Sequence, residues 1–206
     1  MPVVNTSPIS ERIADWVLET ACAKAAAWQL AGYDLRIGVN LSPSQLKSGD
    51  LASSVAQTLA RTGLSPALLE LEVTEDILLQ DEQSALNTFL RIQALGVRLV
   101  FDDFGTGFAS LSYLKKFPLD GLKIDQSFVF GLLANPDDAA IVNSTVGLSK
   151  QLGLSVIAEG IEDRATADFL VSMGCAEGQG YFFGRPMPAG EFEAKFLASP
   201  AVAEVA

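Results

Sequence analysis

The stretch 97-VRLVFDDFGTGFASLSYLKKFPLDGLKID-125 decides the fold. Val97 to Phe101 is a short run of strand-forming residues, and the glycines at 105 and 107 punctuate it. Residues 108 to 116 then place apolar side chains at helical spacing, and Gly121 to Ile124 returns to a strand-like apolar run. Two strands joined by a helical connection of this length run parallel, because a tight hairpin is too short to contain one. Working outward, the same alternation recurs. Strands are predicted at 35–41 and 68–73 upstream and at 155–158 and 178–182 downstream, which makes six. Helical patterns at 50–61, 81–95, 138–152, 164–173 and 189–197 separate or follow them. An opening helix is signalled by Ser7 and Pro8 as cap and first-turn residue. Ile9, Ile13, Trp16, Val17 and Thr20 follow at helical spacing, and Gly32 ends it. The strands are almost continuously apolar, as required when both faces of a parallel sheet are covered.

The polar residues fall at one end of these strands. Asn40 closes the first, Glu72 and Glu75 the second, Asp102 and Asp103 the third, Lys123 and Asp125 the fourth, and Glu159 and Glu162 the fifth, while Gln179 lies at the sixth. Any one of them alone reads as a turn or a helix cap. Six strands with the same placement point instead to the C-terminal mouth of a parallel barrel, where such folds build their sites. A complete (β/α) barrel has eight strands, so the expectation is a TIM-like α/β barrel missing two: one domain over residues 1–199 and a loose tail over 200–206.

Composition narrows the chemistry. The 206 residues carry 14 Lys+Arg against 25 Asp+Glu, a net charge of −11, which argues against a nucleic-acid polymer as partner; an anionic ligand needs a local cation. There is no histidine, so Ser-His-Asp and Cys-His catalysis and most zinc sites are excluded, and a metal would be held by oxygen. Cys22 and Cys175 make no disulfide framework, which suits a reducing cytoplasm. No apolar run approaches the roughly 18 residues of a membrane span. Trp16 and Trp28 read as helix packing, the two cysteines as small buried hydrophobes, and Pro186 and Pro188 as loop punctuation. Asp103-Phe104-Gly105 matches the kinase metal motif, but no Gly-rich loop or HRD-like segment accompanies it.

The segments VNLSPSQL (39–46), LELEVTE (69–75), VFDDFGTGFASLSYL (100–114), LDGLKIDQSFV (119–129), VIAEGIE (156–162) and GQGYFFGRPMP (178–188) together resemble the EAL domain, a family of bacterial cyclic di-GMP phosphodiesterases. The resemblance implies hydrolysis of cyclic di-GMP to linear pGpG with two Mg²⁺ or Mn²⁺ ions. It implies metal ligation by Asn40, Glu72, Asp102 and Asp103, and a water ordered by Lys123, Glu159 and Gln179. It further implies that Glu75 anchors the loop Gly105-Thr106-Gly107-Phe108. The family's Glu-Ala-Leu segment, whose Glu is a further metal ligand, precedes the helix with which this sequence opens; here only MPVVNTS stands there. The expectation is therefore an incomplete barrel with impaired turnover, self-association as a homodimer, and fusion to sensory or GGDEF domains in a parent protein. No membrane contact is expected of the domain itself. The alternatives are a catalytically inactive cyclic di-GMP-binding or protein-interaction module and, last, a Schiff-base lyase using Lys123.

Overall fold

The computed structural model describes residues 8–47, 50–105 and 111–197. It falls into two compact units, Met1–Leu122 and Lys123–Ala206. The first opens with α1 (Pro8–Leu30), followed by β1 (Ile37–Asn40), α2 (Pro43–Lys47) and α3 (Leu51–Thr62). A 3-10 turn over Pro66–Leu68 leads into β2 (Leu69–Val73), α4 (Glu75–Gln80), α5 (Glu82–Ala94), β3 (Arg98–Phe104) and α6 (Leu111–Lys116). β1 and β2 pair in parallel, with Val39 opposite Leu71 and Asn40 opposite Glu72. β2 and β3 do likewise, with Glu72 opposite Val100. The predicted βαβ arrangement is thus present from the first strand. Asp120 locks the start of β4 (Gly121–Ile124) beside β3: its N–H donates to Leu99 O at 2.8 Å and its Oδ2 accepts from Leu99 N at 2.8 Å.

All five residues of β2 are buried. Strand alternation sends Leu69, Leu71 and Val73 to one face and Glu70 and Glu72 to the other. A buried carboxylate must be compensated. Glu70 is matched by Arg98, whose Nε lies 3.2 Å from Glu70 Oε2, and by Arg36 at 3.6 Å.

The second unit carries the rest of β4, then α7 (Gln126–Phe130), α8 (Pro136–Leu152), β5 (Ser155–Ala158), α9 (Arg164–Ser172), β6 (Glu177–Gly178) and α10 (Ala189–Phe192), with a π turn over Glu193–Leu197. Glu159 N donates to Ile124 O at 3.1 Å, and β5 pairs in parallel with β6. Asn135 caps α8 and Asp163 caps α9 through side-chain acceptors.

Several predicted features differ from what is observed. β6 is two residues long rather than 178–182, because Tyr181 to Phe183 turn away, with Phe182 N donating to Ile161 O at 3.0 Å. The opening helix forms, but its buried face is Leu18, Cys22, Ala25 and Ala26, against α3 and β1. Ile13, Trp16 and Val17 are exposed, Trp16 at 66%, so Trp16 is not a packing residue. Short helices α2, α4 and α7 start too close to the preceding strands for periodicity to reveal them. Both cysteines are buried, as expected. The Ser7 cap, the loop residues Thr106 to Phe108 and the 200–206 tail lie outside the described residues.

Candidate functional site

In the first unit, the register places Asn40, Glu72 and Val100 side by side, and Asp102 lies two residues beyond Val100 on β3. Alternation therefore sends Asn40, Glu72 and Asp102 out of the same sheet face at the C-terminal strand ends. Glu72 and Asp102 are each only 8% exposed. Room for the Glu72 carboxylate comes from Gly38: a Cβ there would collide with Glu72 Oε1. Sequence reasoning passed over Gly38, although an isolated glycine inside a strand is a known sign of close approach.

Asp103 follows in an unusual conformation, with φ of 55° on a non-glycine residue, and its N–H donates to Asp102 Oδ1 at 3.1 Å. The two neighbouring carboxylates nonetheless offer oxygens within 4.8 Å of each other, close enough to share a metal ion, and backbone strain of this kind collects at functional positions. Glu75 begins α4 half-buried, and among the described residues its buried Oε1 has no hydrogen-bond partner. The donor set of this unit, carboxylates and one amide with no nitrogen or sulfur ligand, fits a hard divalent cation such as Mg²⁺, Mn²⁺ or Ca²⁺.

In the second unit, three predicted residues converge on one atom. Lys123 on β4 is 3% exposed, and its Nζ lies 2.6 Å from Glu159 Oε1. Gln179, just past β6, donates from Nε2 to the same oxygen at 2.7 Å. Gln179 is held by its own backbone, which donates to Ala158 O at 2.9 Å and accepts from Ile161 N at 3.1 Å. A lysine ion-paired in this way is poorly disposed to Schiff-base chemistry, which needs a free amine. Two other polar strand-end residues are not drawn in. Asp125 caps α7, accepting from Ser127 N at 2.9 Å, and Glu162 is exposed.

Comparison with known proteins places the chain in a family. The EAL domain family model matches residues 1–186. MucR of Pseudomonas aeruginosa, a bifunctional diguanylate cyclase/cyclic di-GMP phosphodiesterase, is 42% identical over 92% of this chain and 28% of its own length. A PaMucR phosphodiesterase structure in complex with c-di-GMP is 43% identical, with a TM-score of 0.83 over 88% of this chain and 74% of that one. Klebsiella pneumoniae BlrP1 has been solved as a calcium/cy-diGMP complex, 30% identical with a TM-score of 0.80 over 88% of this chain and 46% of that one. Its manganese/cy-diGMP complex, also 30% identical, has a TM-score of 0.74 over 86% and 45%. The chain spans about a quarter of the length of the first relatives it matches. Six strands alternating with helices, oxygen donors at the strand ends and a family match across nine-tenths of the sequence lead to one conclusion: the chain belongs to the EAL domain family.

Proposed function

We propose that this chain carries the hydrolytic site of a cytoplasmic cyclic di-GMP phosphodiesterase producing linear pGpG. The observation that carries the reading is the pair Glu72 and Asp102. Both are nearly buried and leave the same sheet face beside Asn40, with Asp103 turned to present a further carboxylate. Carboxylates gathered at buried strand ends repel unless a cation joins them. Asn40, Glu72, Asp102 and Asp103 would hold two Mg²⁺ or Mn²⁺ ions. Bound there, such a pair supplies charge neutralisation of the phosphodiester oxygens and acidifies an attacking water.

The chain's own residues supply the rest. Glu159, held by Lys123 and Gln179, would accept a proton from the attacking water at its carboxylate. Lys123 keeps positive charge next to that carboxylate and stabilises negative charge developing on the phosphate. The free oxygen of Glu75 is available to hold the backbone after Gly105. A multidomain parent protein with sensory or GGDEF domains fits this reading, and the relative MucR is itself bifunctional, a diguanylate cyclase as well as a phosphodiesterase.

The second reading is a cyclic di-GMP-binding module without turnover. Chromatographic detection of pGpG after incubation with cyclic di-GMP and Mn²⁺, alongside calorimetric binding in Ca²⁺, separates the cases. Mn²⁺-dependent product that disappears in Asp102→Asn supports hydrolysis. Binding with no product supports the module, and neither binding nor product refutes both.

A further inference from the structure

The second unit holds a stacked cation that the hydrolytic reading does not use. Arg185 lies with its guanidinium carbon 4.2 Å from the centroid of the Tyr181 ring. Both side chains are exposed. Among the described residues no carboxylate pairs with Arg185 and no acceptor takes its N–H groups, in a chain whose net charge is −11. Tyr181 is two residues past Gln179, whose amide is bonded to Glu159. The turn between them is rigidly set. Phe182 N donates to Ile161 O at 3.0 Å and Phe183 N to Gly180 O at 3.1 Å. Gly180 sits so close to Ile161 that any Cβ there would fall on the Ile161 backbone. The turn thus sets an aromatic ring two residues past the Gln179 that is bonded to Glu159 and lays a planar cation on its face.

Stacking on an aromatic ring holds a guanidinium plane in place while leaving its rim of N–H donors open. Such a fork matches two adjacent acceptors. Guanine presents two, O6 and N7, on its Hoogsteen edge; adenine presents one acceptor and one donor there and cannot satisfy the fork. Within a dinucleotide, a base lies a few bonds from the phosphodiester that joins it. We propose that Arg185, held by Tyr181, reads the O6/N7 edge of a guanine in the bound dinucleotide and so selects guanine over adenine. This rests on the phosphodiesterase reading and adds the residue that sets base specificity. Tyr181 is then a positioning residue, acting through Arg185.

The test uses the 206-residue chain with Ca²⁺, measuring affinities for cyclic di-GMP and cyclic di-AMP by calorimetry. For Arg185→Lys, which keeps the charge and loses the fork, cyclic di-GMP affinity should fall about tenfold or more while cyclic di-AMP affinity stays unchanged, a loss expected for one bidentate base contact. Tyr181→Leu should give a smaller loss of the same selective kind, and Mn²⁺ affinity should be unaltered in both variants. Equal loss for both nucleotides in Arg185→Ala, with full retention in Arg185→Lys, would assign Arg185 to the phosphate and overturn the proposal. So would unchanged selectivity in Arg185→Lys. Absence of cyclic di-GMP binding by the unmodified chain would overturn both this inference and the reading on which it rests.

Discussion

Replacing Lys123 by Met tests whether the Lys123–Glu159 pair is held as tightly as the structure implies. The ammonium is almost fully buried and 2.6 Å from Glu159 Oε1, and the Glu159 side chain is 15% exposed. Removing one partner of a buried pair costs about 3–5 kcal/mol, because the remaining charge loses its nearest opposite charge. Glu159 keeps its hydrogen bond from Gln179 and some contact with solvent, which places Lys123→Met near the lower end, about 3 kcal/mol. For a chain of this length that corresponds to a fall in Tm of about 6–12 °C. Glu159→Leu alone should also be costly, since it removes the carboxylate that lies 2.6 Å from a buried ammonium. The double variant should cost less than either single change, because a buried pair replaced by apolar groups of similar volume is close to neutral. Urea unfolding followed by circular dichroism gives all three values. Single variants within about 0.5 kcal/mol of the parent, or a double variant equal to the sum of the singles, would refute the reasoning.

Three further outcomes follow from particular contacts. Burial pushes the Cys22 thiol from 9.0 up to about 11 and raises that of Cys175 as well, so neither should react with a thiol reagent at pH 8 until denaturant is added; fast labelling of the native chain would contradict this. The sign also fixes a pH dependence. The fold favours the neutral Cys22 thiol, so its contribution is complete below pH 9 and lost between pH 9 and about 11, which a series of unfolding curves will show. Gly38→Ala should push the Glu72 carboxylate aside and weaken Mn²⁺ binding with the far-ultraviolet dichroism preserved; unchanged Mn²⁺ affinity would remove Glu72 from the metal site.

Much of this was legible in the sequence because strand, helix and polar strand end recur in a fixed order. Asn40, Glu72 and Asp102 each close or interrupt an apolar run, and that placement alone put them on one face. Periodicity on α1 located the helix but not its buried side. Ile13, Trp16 and Val17 carry the strongest apolar signal, yet Leu18 and the smaller Cys22, Ala25 and Ala26 face the core, where the helix packs closely on its neighbours. The buried Glu70 with Arg36 and Arg98 was hidden because a charged residue in a strand reads as solvent-facing until its partners on neighbouring strands are known. The convergence of Lys123 and Gln179 on one oxygen of Glu159 joins residues up to 56 apart in sequence, and no spacing rule reveals such a contact. Nor does any local pattern disclose that Arg185 lies on Tyr181, since it is the tight Gly180 turn that brings them together.

The claim on which the rest depends is that the carboxylates at the ends of β2 and β3 hold divalent metal. Isothermal titration of Mn²⁺ into the parent chain and into Asp102→Asn tests it most directly. Loss of an ionised ligand that is only 8% exposed should lower affinity at least about tenfold, and the rise in Tm that Mn²⁺ gives the parent should vanish in the variant. Equal Mn²⁺ affinity in the two proteins, or no Mn²⁺ binding by either, would contradict it.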